Sequence, residues 1–103
     1  MRQHRDPEFF ALLIVDGRPA IRGECDLLTS GEVEAWLATF DVQPLEVDLS
    51  HVTFFDSTAL RAFLNIRRRN PHMCIVNPSK AVLKVLEITG TLEYLVDGRD
   101  IFS

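Results

Sequence analysis

Cysteine is scarce. Among 103 residues there are two, Cys25 and Cys74, with no C-x-x-C spacing and no clustered histidines, a pattern that argues against a zinc site. Long apolar runs are missing too: Phe9 to Val15, the longest, falls far below the roughly 20 residues of a membrane-spanning helix and ends in a turn signal. The opening Met1 to Glu8 is charged and mixed in sign, without the apolar stretch of a secretory leader, so it reads as a flexible N-terminal segment and the expected compartment is the cytoplasm. Positive charge is in deficit. A formal net charge of -4 disfavours a general nucleic-acid binder, which needs a positive field to displace phosphate counterions. There is no glycine-rich phosphate loop, no nucleophile elbow and no histidine placed by a motif near Ser57 as a base. No catalytic residue, metal or cofactor is therefore assigned, and an enzyme is not expected.

What remains is the composition of one folded unit. An apolar share of 47% and a charged share of 25% are ordinary for a globular domain, and 103 residues suffice for one core. Residues 1–103 are read as a single domain. Phe9 to Val15 and Arg18 to Gly23 flank Asp16-Gly17, a pair that supplies the positive φ angles of a tight hairpin. Val33, Trp36, Leu37 and Phe40 then follow at i, i+3, i+4 and i+7, one face of a helix that Thr29 or Ser30 could cap. Leu45, Val47 and Leu49 alternate with Glu46 and Asp48, the period of a strand with one buried face.

The helical stripe Leu60, Phe63 and Leu64, with Ala59, Ala62 and Ile66 beside it, predicts a helix from Ser57 that stops at Asn70-Pro71. A strand from His72 to Val76 comes next. Ser79 caps a further helix with Val82, Leu83, Val85 and Leu86 inward and Gly90 at a left-handed C-terminal position. A short strand at Tyr94 to Val96 and an Asp97-Gly98 turn close the pattern. This alternation predicts an α/β fold with a mixed, mostly parallel sheet and right-handed crossovers.

The informative segment runs from Asp48 to Leu60, D-L-S-H-V-T-F-F-D-S-T-A-L. It resembles the strand, loop and D-S-x-G-L helix start of the STAS domain family, the family of the bacterial anti-sigma factor antagonists. Gly23-Glu24-Cys25-Asp26, followed by Thr29, is similar to the family's G-E-L-D loop, and Asn77-Pro78-Ser79 through Gly90 to its third-helix region. The resemblance spans roughly Phe9 to Val96. It implies a right-handed β-α superhelix with helices stacked on one face. It also implies an activity: the unmodified protein binds an anti-sigma factor, often itself a serine kinase, and frees the sigma factor. Phosphorylation of the motif serine, matched by Ser57, reverses this. One departure stands out, since Ala59 occupies the position where the family most often has glycine.

The residues themselves are consistent with a surface switch. Ser57 lies where a loop, Thr53 to Asp56, meets a helix, so its hydroxyl either caps backbone N–H groups or stands exposed at a positive dipole end that tolerates a phosphate. Asp56 either helps present Ser57 or caps the helix in its place, and Thr58 is a second, weaker phosphorylation candidate. Glu24 and Asp26 should share the edge of the sheet with Ser57 if the strands are parallel, so Glu24, Asp26, Asp56, Ser57, Thr58, Ala59 and Arg61 are assigned to a partner-binding surface; the plainer reading of the two acids is a solvated loop. Arg67, Arg68 and Arg69 read as complements to a helix C-terminal dipole, with a patch for phosphate or an acidic partner as the alternative. His51 reads as structural or merely exposed. Cys25 and Cys74 should sit on strands with one strand between them, about 9.6 Å apart, beyond the roughly 7 Å a disulfide allows, so both should be free thiols.

Two other functions compete with this reading. One is a STAS subunit without sigma-factor involvement, such as a stressosome component or the cytoplasmic partner of a lipid-transport ATPase. The other is a nucleotide-hydrolysing enzyme, which would turn over substrate as an isolated domain; no turnover is expected. Neither a nucleic acid nor a membrane is expected as a partner, and homo-oligomerisation is left open.

Overall fold

Asp16 and Gly17 both adopt positive φ, 52° and 80°, so the two central residues of the first turn have the mirror-image geometry that matches the twist of a hairpin. They join β1 (Phe10–Val15) to β2 (Arg18–Cys25) as an antiparallel pair with Val15 opposite Arg18. The computed structural model describes residues 10–96. Within them the chain continues as α1 (Ser30–Leu37), β3 (Leu45–Phe55), α2 (Ser57–Arg69), β4 (Met73–Val76), α3 (Lys80–Thr89) and α4 (Leu92–Leu95). The sheet has the order β1-β2-β3-β4, and both the β2–β3 and β3–β4 pairings are parallel. The described residues thus form one α/β unit with a mixed, mostly parallel sheet, as the alternation of elements required.

One face of the sheet is apolar. Ile21, Cys25, Leu45, Val47, Leu49, Val52, Phe55, Met73 and Ile75 are buried together with Val33 and Leu37 of α1, Leu60, Phe63 and Ile66 of α2, and Val82 and Leu86 of α3. On the opposite face, the charges of Arg18, Glu46 and Asp48 are engaged locally. Arg18 pairs with Glu46 at 3.7 Å, and Asp48 accepts hydrogen bonds from Ser50 Oγ (2.6 Å), Ser50 N (2.8 Å) and Asn77 Nδ2 (3.1 Å).

Several elements differ from the sequence reading. β3 does not stop at Leu49 but runs to Phe55, so Thr53 to Phe55 is strand rather than loop. Its register against β2 slips twice, between Ala20 and Arg22 and between Gly23 and Glu24, and at each slip β3 carries one extra residue. These are β-bulges, and they put two exposed residues in succession, Ser50-His51 and Thr53-Phe54, where a regular strand would alternate. The Gly23-Glu24-Cys25 stretch is likewise the end of β2 and not a loop, with Gly23 at φ 99° beside the second bulge.

α1 ends at Leu37, so Phe40 reaches the core from the following turn, packed edge-on against Trp36 at 5.1 Å. The strand expected at Tyr94 to Val96 is replaced by α4, in which Leu95 N donates to Thr91 O (3.0 Å) and Val96 N to Leu92 O (2.8 Å). Leu92 and Leu95, three apart, pack on the core from one side, a period that a three-residue apolar run could not reveal. The Met1 to Glu8 segment, Phe9 and the Asp97-Gly98 turn lie outside the described residues.

Ser79 does cap α3, accepting from Val82 N at 3.3 Å, and Gly90 takes the left-handed C-terminal position at φ 73°. Cys25 and Cys74 are free and separated by β3.

Phe63 has no exposed surface and lies against Phe55 with ring centroids 5.9 Å apart. Phe63→Ala should cost about 3–5 kcal/mol of unfolding free energy. Ile88→Ala, at a side chain 75% exposed, should stay within about 0.5 kcal/mol. Urea titration of both variants checks the pair.

Candidate functional site

The parallel pairing of β2 and β3 brings their C-terminal ends to one rim, with Cys25 in register with Phe55. Asp56 follows immediately, and its N–H donates to Cys25 O at 3.3 Å. Its backbone is extended, φ -122° and ψ -173°, and its Oδ1 accepts from Thr58 N (3.0 Å), Ala59 N (3.0 Å) and Thr58 Oγ1 (2.6 Å). Asp56 is therefore the N-cap, and the chain passes from strand to helix across this single residue. Of the two roles open to Asp56, the cap is the one seen.

Ser57 is accordingly the first residue of α2 and not its cap. It is exposed, and among the described residues its hydroxyl makes no hydrogen bond. Thr58 differs: half-buried, it spends its hydroxyl on the cap carboxylate. A kinase would have to break that bond and place phosphate beside Asp56, so the two adjacent hydroxyls are not equivalent. Ala59 is 1% exposed and its methyl points into the core, so this member of the expected surface lies beneath it.

On the neighbouring strand end, Glu24 and Asp26 are half-buried rather than freely solvated. Asp26 N donates to Thr29 Oγ1, and Thr29 Oγ1 donates to Glu24 O, each at 2.9 Å. Thr29 is 3% exposed and precedes α1, but its side chain turns back into this loop and makes no capping bond to the helix. Asp26 Oδ1 also accepts from Leu28 N at 2.9 Å. The loop is thereby fixed with Leu27 and Leu28 outward, each 73% exposed. Two adjacent leucines held in water on a tied loop are a feature that periodicity could not flag, because neither belongs to a helix or strand.

A cleft of about 280 Å³ lies beside Ser57, lined by Ser57, Thr58, Arg61 and Ala62 of α2 and by Ser30, Gly31 and Glu34 of α1. The sequence reading missed the α1 residues, which lie more than twenty positions upstream and reach the site only through helix packing. Arg61 is exposed on this cleft. Glu34 is bonded to Arg69 at 2.8 Å.

The arginine triplet divides. Arg67 is 6% exposed, donates to Met73 O at 2.7 Å and lies 4.6 Å from the Tyr94 ring centroid. Arg69 is the partner of Glu34, and Arg68 is exposed. These three do not present one patch.

His51 Nδ1 lies 3.1 Å from Ser50 Oγ, but that hydroxyl also lies 2.6 Å from Asp48, and all of this is on the exposed polar face. Burial tends to push the Asp48 carboxyl up, yet the bonds from Ser50 and Asn77 and the charge of Arg18 outweigh it and hold it below the usual carboxylate value. Among the described residues no group of three His, Cys, Asp or Glu side chains is placed to hold a metal ion, and no helix is long and apolar enough to cross a membrane.

Two measurements test this geometry. Asp56→Ala should lower stability by about 0.5–2 kcal/mol by removing the cap, whereas Ser57→Ala should change it by less than about 0.5 kcal/mol. Comparable losses in chemical denaturation would contradict the assignment of the cap. Burial, reinforced by the charges of Asp26 and Asp56, pushes the Cys25 thiol up to about 12. At about pH 8 it should resist iodoacetamide in the folded protein, while the half-buried Cys74, also raised by burial, should label slowly; mass spectrometry of native and denatured samples reads both.

The chain is similar to known proteins. The chain is 31% identical over 77 residues to an anti-sigma-B factor antagonist of Listeria monocytogenes, covering 68% of each protein, and matches the Listeria innocua protein of the same name equally. Among solved structures, an anti-sigma factor antagonist from Mycobacterium paratuberculosis superposes with a TM-score of 0.62 at 24% identity, over 84% of this chain and 80% of that one. The STAS domain of an antisigma-factor antagonist from Rhodobacter sphaeroides gives 0.52 at 19% identity, over 75% of this chain and 99% of that one. At such identities the likeness carries the fold. The STAS domain model matches residues 18–103, from the first residue of β2 through the strand ends, the capped helix and everything beyond, so the chain belongs to the STAS domain family.

Proposed function

We propose that this protein is an anti-sigma factor antagonist, a binding protein rather than an enzyme, acting in the cytoplasm. Its unmodified form binds an anti-sigma factor that is also a serine kinase, and so frees the sigma factor. Transfer of a phosphoryl group to Ser57 ends the interaction. The observation that carries this reading is Ser57 itself: an exposed hydroxyl without a hydrogen-bond partner among the described residues, set at the first position of a helix whose cap is supplied by a different residue. Phosphorylation forms a bond from Ser57 Oγ to the γ-phosphorus of ATP, breaks the bond to ADP and leaves the seryl proton with a base of the kinase. Because Ser57 is not the cap, none of the bonds that start α2 is lost. The helix N-terminus tolerates the added charge.

The partner surface proposed comprises Ser57 and Arg61 on α2, Asp56 and Thr58 at the cap, and Glu24 and Asp26 on the adjoining rim. Leu27 and Leu28 supply its apolar part, because exposed leucines on a fixed loop can be buried on association with little further ordering. A phosphate in the middle of that surface adds bulk and about 1.5–2 negative charges that a docking partner would have to desolvate. Ala59 does not weaken the reading, since its methyl faces the core and the surface around Ser57 is the one a glycine would leave.

The test is incubation with candidate anti-sigma kinases and ATP, with mass spectrometry to locate the phosphate. It should map to Ser57 and not to Thr58. In binding measurements, wild type and Ser57→Ala should agree within about twofold, while Ser57→Glu should bind at least about tenfold more weakly. Equal affinities for all three proteins would remove the switch.

A further inference from the structure

Ser57 and Arg61 line the same cleft, four residues apart on α2, the spacing that places two side chains on one helix face. The order also counts: an anion at i and a cation at i+4 is the more favourable arrangement, because each then sits toward the helix end that suits its charge. Arg61 is exposed, and among the described residues it has no carboxylate partner. The acid on the opposite wall, Glu34 of α1, is already engaged by Arg69 at 2.8 Å and so does not draw Arg61 away. Ser30 and Gly31, also from α1, complete that wall; at Gly31 a side chain would meet nothing within 4 Å, so the cleft is open at that point.

We propose that a phosphate on Ser57 is gripped by Arg61 within this cleft, and that this ion pair is part of the off state. It rests on the reading of Ser57 as the modified residue. Phosphorylation then does two things at once. It adds a dianion to the partner-facing rim, and it withdraws from that rim the cation that the unmodified protein leaves available. A guanidinium suits this role, since its planar donors match phosphate oxygens in pairs. Arg61 here is a positioning residue: it holds the phosphate and takes no part in its transfer.

The test installs phosphoserine at position 57 by genetic encoding, so that no kinase is needed, in wild-type, Arg61→Gln and Arg61→Lys backgrounds. Phosphorus NMR then follows the second ionisation of the phosphate between about pH 5 and pH 8. A nearby cation favours the dianion and lowers that pKa, while the carboxylates of Glu34 and Asp56 raise it equally in all three proteins. The wild-type value should lie about 0.2 to 0.4 below that of Arg61→Gln, from the strength of an i, i+4 ion pair. Arg61→Lys should recover part of the difference. The gap should narrow in about 0.5 M salt, as an exposed pair requires. A phosphatase should also strip Arg61→Gln about 1.5- to 2-fold faster, the same ion-pair energy expressed as a rate.

Identical pKa values in wild type and Arg61→Gln overturn the grip, whatever the kinase does. The two failures are separable: if the difference is present but kinases never modify Ser57, it is the reading of Ser57 that falls. Circular dichroism of the unphosphorylated variants, expected to be unchanged at this exposed position, guards against misfolding.

Discussion

The carboxylate of Asp56 is the pivot of the molecule. Its backbone N–H closes the parallel ladder against Cys25, and its side chain satisfies the first free N–H groups of α2. Without an acceptor in that position the helix would need a turn or more of loop to begin, and the residue after the strand would have no fixed direction. With it, the strand's last hydrogen bond and the helix's first lie one residue apart, and Ser57 stands in water immediately beyond the pivot. The core sets where this junction falls. Phe55 just before it and Ala59 and Leu60 just after it are buried, so the three residues between Phe55 and Ala59 are stretched over the rim with little freedom to shift register.

The second strand end is organised by a different device for the same purpose. Thr29, buried at the start of α1, uses its hydroxyl twice, once as acceptor from Asp26 N and once as donor to Glu24 O. A hydroxyl can do both, a carboxylate cannot. The loop is thereby closed on itself and offers its two leucines outward. The two strand ends are joined by the Asp56-to-Cys25 hydrogen bond into one rim, and the partner recognition proposed for it would require little ordering on binding.

Much of this was legible in the sequence, and what was not had identifiable causes. Elements with a clear period were read correctly: the Asp-Gly hairpin, the alternation of Leu45 to Leu49, the stripe of α2, and the Ser79 and Gly90 caps of α3. The second half of β3 was lost because two bulges erase alternation, so Thr53 to Asp56 looked like a loop. α4 was mistaken for a strand because four residues are too few to show a period. At the site, the motif located Ser57 and Asp56, but the choice of which one caps depends on backbone angles that no residue type dictates, Ser and Asp being about equally good caps. The part played by α1 in the cleft was invisible, since it follows only from how two helices pack. Arg67 does lie in the last turn of α2, as its reading as a dipole complement requires, but its enclosure is invisible for a similar reason. An arginine opening a basic run shows nothing in sequence of the Met73 carbonyl and Tyr94 ring that enclose it.

The bulges of β3 bear on how the gene tolerates insertions and deletions. Each absorbs one surplus residue on the polar face, at Ser50-His51 and at Thr53-Phe54, so the apolar residues on either side keep their orientation. Loss of one codon there converts a bulge into regular ladder and leaves Leu45, Val47 and Leu49 before it and Val52 and Phe55 after it facing the core. The same loss at Val47 has no slack to draw on and turns one flank of the strand inside out. Length variation in this central strand is therefore confined to two short windows, both on the approach to the rim.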